Sequence, residues 1–320
     1  MSNSTGAGTM WNSEQFLGDL FLTGEKTPFL DAVGGIGGNR TVPARSHRYS
    51  CNVTVSLNAG SQPQHAESTL ATTLPTPIVW DPNQEYNYTQ PFAYGVTLSH
   101  DSLIEQEFLD AGGIQQLGLG ELTKPALPED KLAYQIELNL KQMAKDYNYT
   151  MINGAKNAAT QASEYWKMGG ILEAIATNAV DAGSNALTTA DLDALALLMA
   201  TNTAPLTDPM IFVGPTIRQD INDLYAVEPM DRKIGGHDLD AIMVPLLGRV
   251  PIVTDDDVPD TTVLIADIAY IRPVVNVVPK WGTVYYKPTE GVAAEAGLLN
   301  GYLGMAWGKE TFHGEIYGIA

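Results

Sequence analysis

The sequence has a single cysteine, Cys51, so neither an internal disulfide nor a zinc site built from several thiols is open to it. No apolar run is long enough to cross a bilayer. Residues 1–10 are rich in Ser, Thr and Gly and lack the basic and apolar regions of a secretion signal, which predicts synthesis and first use in a cytoplasm. Cations are scarce: 18 Lys and Arg stand against 37 Asp and Glu, a formal net charge of -19. Binding a phosphate backbone needs clustered cations that release counterions. Here the bases are scattered singly apart from the 45–48 stretch, which disfavours coating nucleic acid. The five histidines, His47, His65, His100, His237 and His313, lie far apart, and none has a partner at metal-ligand spacing. A Gly-x-Ser-x-Gly elbow is missing. The glycines Gly34, Gly35, Gly37 and Gly38 lack the Gly-Lys-Ser/Thr ending of a phosphate loop and read as an elbow. No catalytic residue and no cofactor is expected.

What is present is a chain of 320 residues, 44% hydrophobic, enough for two modest packed domains. Residues 1–45 read as an arm: Trp11, Phe16, Leu17, Leu20, Phe21 and Leu22 are apolar but too few to bury themselves. Over 47–57, Tyr49, Cys51, Val53, Val55 and Leu57 alternate with polar residues, the period of a strand with one apolar face. A second alternating run over 86–98 places Tyr86, Tyr88, Phe92, Tyr94, Val96 and Leu98 on one face, interrupted by Gln90. The connection between them holds Pro63, Pro75, Pro77 and Pro82. Two strands joined by so long a tip predict an extended ribbon that needs something to pack on.

The strongest helix falls over 129–152. Leu132, Ile136, Leu140, Met143, Tyr147 and Met151 form one stripe, with Pro128 at the entrance and Gly154 past the end as a stop. From 166 to about 270 the pattern is mixed α/β. Helices are expected over 170–178, over 191–200 with Thr188 as N-cap, and after Pro215; strands over 210–213, 241–244, 250–254 and 262–268. Strands and turns follow over 271–320, at 274–278, 283–286 and 312–319.

The densest acidic cluster is Asp255, Asp256 and Asp257 with Asp260. Its carboxylates could hold a divalent cation, but calcium-loop spacing and its glycine are missing, and a solvated turn between strands is the preferred reading.

The order of arm, ribbon, long helix and α/β body resembles the major capsid proteins of tailed phages, with the Hong Kong 97 fold. Several stretches are similar to one branch of that family. They are Thr27-Pro28-Phe29-Leu30, the run from Tyr134 through Met143-Ala144-Lys145-Asp146 to Ile152-Asn153-Gly154, Phe212-Val213-Gly214-Pro215, and His313-Gly314-Glu315-Ile316. The resemblance implies an α+β chain divided into an arm (1–45), an E-loop ribbon (46–98), a peripheral domain (99–165) with the spine helix 129–152, an axial domain (166–270) and a return to the peripheral domain (271–320). It implies an icosahedral shell of hexamers and pentamers around double-stranded DNA, and an acidic surface suits a wall that must not adhere to that DNA.

By the same resemblance, Tyr49, Cys51, Val53, Val55, Leu57, Tyr86, Tyr88, Tyr94 and Val96 would face a neighbouring subunit, and the helix stripe would face the peripheral core. A portal, a scaffolding protein and decoration proteins are the implied partners, with no membrane. Some relatives carry a helical scaffold segment before the arm that this sequence lacks, so a separate scaffolding protein or a removed segment is expected. In the shell that names the fold, a ribbon lysine joins a neighbour's asparagine with help from a glutamate; residues 46–98 contain no lysine. Two other classes stay open: an encapsulin-like compartment of the same fold, which would package protein cargo, and a small-molecule enzyme or binding protein built on the α/β segment.

Overall fold

The computed structural model describes residues 26–55, 79–99, 131–161, 163–234, 237–278, 283–288 and 294–320. The apolar residues of the arm before Lys26, Leu57 and most of the connection after Val55 lie outside them.

A seven-stranded mixed sheet forms the body. Its strands are β5 (Ala179–Asn185), β6 (Pro209–Val213), β7 (Glu228–Ile234), β8 (His237–Val244), β9 (Gly248–Thr254), β10 (Val263–Asp267) and β14 (Gly314–Ile319), in the order β5-β14-β10-β6-β9-β8-β7. Both faces are covered. Ile211, Val213, Val263, Ile265 and Ile316 pack with Leu192, Leu195 and Met199 of helix α4 (Thr189–Thr201) and with Ile217 and Ile221 of helix α5 (Pro215–Leu224). Met210, Phe212, Leu264 and Ala266 point the other way, toward helices α1 (Pro28–Val33) and α2 (Lys131–Asn153). Burial on both faces explains why β6 and β10 read as unbroken apolar runs. The ends of α4 and α5 are fixed locally. The Thr188 backbone N–H and hydroxyl donate to the Asp191 carboxylate at 2.9 and 2.6 Å, and Pro215 opens α5.

A second sheet is organised by β13 (Ala294–Ala306). One edge pairs with β4 (Gln90–Ser99); the other pairs first with β12 (Thr283–Pro288) and then with β11 (Arg272–Asn276), which holds the short β1 (Val42–Ala44) in parallel. The short helix α3 (Ile171–Ala174) follows the loop after α2. A separate two-stranded ribbon joins β2 (Arg48–Thr54) to β3 (Asn83–Tyr88).

Helix α2 joins the two sheets. Met143, Tyr147, Met151 and Ile152 are fully buried, whereas Ile136 and Leu140 are half-buried, so the stripe is core in its second half and shallower in its first. The Leu132 side chain is outside the described residues. Phe92 meets Tyr147 edge-on with ring centres 5.9 Å apart, and the Tyr147 hydroxyl donates to the Gly304 carbonyl at 2.6 Å.

Four expectations are corrected. The alternating run over 86–98 is two strands broken at Thr89; only the first pairs in the ribbon. Tyr94 and Val96 therefore sit on β4 against the chain's own core, with the Tyr94 hydroxyl bonded to Asp146 of α2. The helix over 170–178 stops at Ala174. The 271–320 segment does not stay together: β11 to β13 form the second sheet, but β14 crosses back to pair with β5 and β10. Gly154 does not take the left-handed conformation of a helix stop. It is needed for close approach, because a Cβ there would lie 2.5 Å from the Thr150 carbonyl and 2.7 Å from that of Met168. The end of the arm packs into the chain's own body: Phe29, Leu30 and Val33 are buried, with Phe29 edge-on to Phe212 at 4.9 Å.

Candidate functional site

Two places gather most of the polar organisation. The first is the root of the ribbon. Tyr49 turns inward, donates to the Met305 carbonyl at 2.9 Å, and lies so close to Gly304 that a Cβ there would stand 2.4 Å from its hydroxyl. Asn87 is fully buried; it donates to the Gly169 and Met305 carbonyls at 3.1 and 2.8 Å and accepts the Gly169 N–H at 2.8 Å. The Glu85 carboxylate accepts the Trp307 indole N–H at 3.1 Å and the Asn52 amide at 3.2 Å. Trp166 stacks on His47, with rings 5.0 Å apart and 7° from parallel, and touches Tyr88.

The ribbon changes character at Cys51. The register shifts between Ser50 and Asn52, leaving Cys51 as a bulge residue. An extra residue in a strand exchanges its two faces beyond that point. Tyr49 and Cys51 consequently face the body, where burial pushes the Cys51 thiol up to about 12, while Val53 and Val55 are 58% and 50% exposed. Val79 and Trp80, entering β3, are 81% and 41% exposed. Tyr86 and Tyr88 are half-buried at the root.

The second place is the Asp255 loop. Asp255 is buried and its carboxylate accepts the Phe29 N–H at 3.0 Å, the Asp257 N–H at 2.9 Å and the Asn148 amide at 3.0 Å. Asn148 also donates to the Asp257 carboxylate at 2.6 Å and accepts the Leu30 N–H at 2.8 Å. The first turn of α1, the middle of α2 and the loop after β9 are thus clamped by one carboxylate and one amide. Burial, opposed by these hydrogen bonds, leaves the Asp255 carboxyl above its ordinary range. Amide donors occupy the positions a cation would take between Asp255 and Asp257, and Asp260 approaches Gly214 instead of joining them. Asp256 is exposed and lines a groove of about 460 Å³ with Lys26, Pro28, Lys145 and Thr254. Among the described residues no group of His, Cys, Asp and Glu side chains is arranged for a metal.

Sequence reasoning missed Asn87, Asn148 and His313. His313 is fully buried, accepts the Asp267 N–H at Nδ1 (3.1 Å) and faces the Trp307 carbonyl from Nε2 (2.6 Å); burial holds it down at about 4, neutral at ordinary pH. Its tautomer follows from that carbonyl, which can only accept. Asn87 and His313 hold backbone to backbone, and Asn148 holds the Leu30 backbone to the Asp255 and Asp257 carboxylates.

The family model described as SU10 major capsid protein matches residues 3–320. The chain belongs to the SU10 major capsid protein family. Solved structures agree in fold. The capsid of cyanophage A-1(L) is 14% identical, with 96% of each chain covered and a TM-score of 0.61. The capsid of a native GTA particle is 12% identical, with 96% of this chain and 94% of that one covered and a TM-score of 0.59. The holo-SrpI encapsulin of Synechococcus elongatus PCC 7942 is 15% identical, with 88% and 85% covered and a TM-score of 0.53. No curated protein matches. The capsid protein therefore has the Hong Kong 97-type fold, and it is a building block of a virion shell made with other capsid subunits. No helix among the described residues is long and apolar enough to cross a membrane.

Proposed function

We propose that this capsid protein assembles as hexamers and pentamers into the icosahedral head of a tailed phage, around double-stranded DNA. It acts without catalytic activity or cofactor, with a portal, a scaffolding protein and possible decoration proteins as partners. The observation that carries the reading is the ribbon beyond Cys51. Val53 on the ribbon and Val55, Val79 and Trp80 just beyond its strands are large, apolar and exposed, and among the described residues the ribbon has no third strand. Such an element is marginal in water by itself, and a neighbouring subunit supplies the surface it lacks. Membership in a structural family supports the absence of catalysis.

Negative-stain microscopy of the full chain expressed alone or with a scaffolding protein tests the reading: hollow shells or rings of five and six are expected, and a monodisperse monomer would overturn it. The cargo separates the phage head from an encapsulin-like compartment. Nuclease-protected DNA is the expected content, and a packaged enzyme is the contrary result.

A further inference from the structure

Charge is unevenly distributed along the chain. Residues 32–66 contain no Asp or Glu, although the sequence has 37 of them, and they supply Arg40, Arg45 and Arg48. The described part of this stretch lies at the ribbon root. There β1 pairs, among the described residues, only with β11, and the Val277 N–H donates to the Ala44 carbonyl at 3.0 Å, setting the end of β11 beside Arg45. Arg45 and Arg48 are exposed, and among the described residues neither forms an ion pair. Arg48 instead lies over the Tyr86 ring at 3.9 Å. Close by, Val42, Val277 and Val278 are 36%, 50% and 83% exposed. The corner offers unmatched cations together with aliphatic side chains.

The outer layer of α4 and α5 is its complement. From Glu173 to Asp260 the cations are Arg218, Arg232, Lys233 and Arg249. Three of them already face carboxylates of the same body: Arg218 faces Asp240 at 2.6 Å, Arg232 faces Asp208 at 2.7 Å and Arg249 faces Glu228 at 3.8 Å. Asp193 on α4 and Asp223 on α5 are exposed and have no ion pair among the described residues. The two helices lie on the same face of the large sheet, where Leu192 and Leu195 of α4 share one core with Ile217 and Ile221 of α5. Leu197 and Leu224 are 58% and 37% exposed in the same layer.

We propose that the Arg45 and Arg48 corner of one subunit docks on the Asp193 and Asp223 face of a second copy of this chain. The inference rests on the reading of the chain as a shell subunit. Opposite charges steer the encounter and fix its register, and the aliphatic residues of both patches leave water together. The two patches differ, so the contact runs head to tail, the kind that closes rings or extends a surface. Nucleic acid is the competing occupant of a basic corner, but the valines beside the arginines offer nothing to a phosphate, and a few cations make only a weak phosphate site.

Sedimentation of the full chain at low and high salt, with charge-reversal variants, decides the matter. In about 0.1 M salt, where the Debye length is about 10 Å, R45E/R48E is expected to weaken self-association roughly tenfold or more. D193K/D223K should do the same, and combining all four substitutions should restore association, with unchanged thermal unfolding throughout. Wild-type association of R45E/R48E would overturn the proposal, as would a loss that D193K/D223K fails to repair. A variant that associates normally but retains less DNA would assign the corner to nucleic acid and overturn it too. Shell formation by the wild-type chain is scored separately by microscopy. Rescue without shells would sink the phage-head reading alone, and shells without rescue would sink this contact alone.

Discussion

The two-stranded ribbon and the seven-stranded sheet use the same backbone geometry to opposite ends. Every residue of β10 is buried, with hydrogen-bonded neighbours on both sides and helices over both faces. Among the described residues the ribbon has no third strand; its root is held by Tyr49, Glu85 and Asn87, and beyond the Cys51 bulge its valines stand in water. The sheet satisfies itself within one chain, whereas the ribbon is unfinished until another surface meets it. Damage to the first should appear as misfolding, and damage to the second as failed assembly by a well-folded chain.

The largest effect should come from the body. Met151→Asp places an unpaired carboxylate where the native side chain is fully buried, at a cost of roughly 5 kcal/mol or more, and insoluble protein is expected. Leu140→Asp, at a half-buried position on the same stripe, should cost less and leave more soluble chain. Equal soluble yields would erase the gradient along α2. Next comes the ribbon: V53S/V55S should melt within about 0.5 kcal/mol of wild type yet form few or no closed shells by microscopy. Normal shells from that variant would show that the exposed valines are ordinary surface.

A smaller effect is expected on β14 of the large sheet. Glu315 on β14 is half-buried, its carboxylate has no hydrogen-bond or ion-pair partner among the described residues, and burial pushes the carboxyl up to about 7. A carboxyl raised in the folded state favours folding most below its unfolded range, and that contribution is lost as pH rises through about 7. Glu315→Gln should therefore gain about 1 kcal/mol near pH 8, allowing for partial exposure, and close to nothing near pH 4. A gain independent of pH in thermal melts would contradict the assignment. The smallest expected change is none at all. Assembled particles boiled in detergent should run as one band at 34.4 kDa, because residues 46–98 offer no lysine, and the arginine there stays protonated. A ladder of multimers would mean a covalent link from outside the ribbon.

Local periodicity made α2, α4, α5, β6, β9 and β10 legible, and the order of elements pointed to the family. Features decided by distant partners stayed hidden. β13 is long, but Gly297, Gly301 and Gly304 and its paired leucines break the alternation, and the need for Gly304 appears only once Tyr49 lies against it. The bulge at Cys51 leaves the apolar alternation intact while reversing which valines meet water. Asp255 looks like a turn acid because its main partners, the Phe29 N–H and Asn148, are remote in sequence. Thr89 looks like one more strand residue, yet the chain leaves the ribbon there and enters another sheet.

The place of β14 sets the order in which the molecule can be completed. This strand follows every other described element in the chain, yet it lies inside the large sheet, and among the described residues β5 has no other strand beside it. During synthesis, which takes on the order of tens of seconds for a chain of this length, β5 and one edge of β10 wait with unsatisfied backbone groups. Such edges recruit stray strands. A nascent subunit is therefore most vulnerable to wrong pairing just before β14 emerges, and a chaperone that shields the β5 and β10 edges would act in that interval.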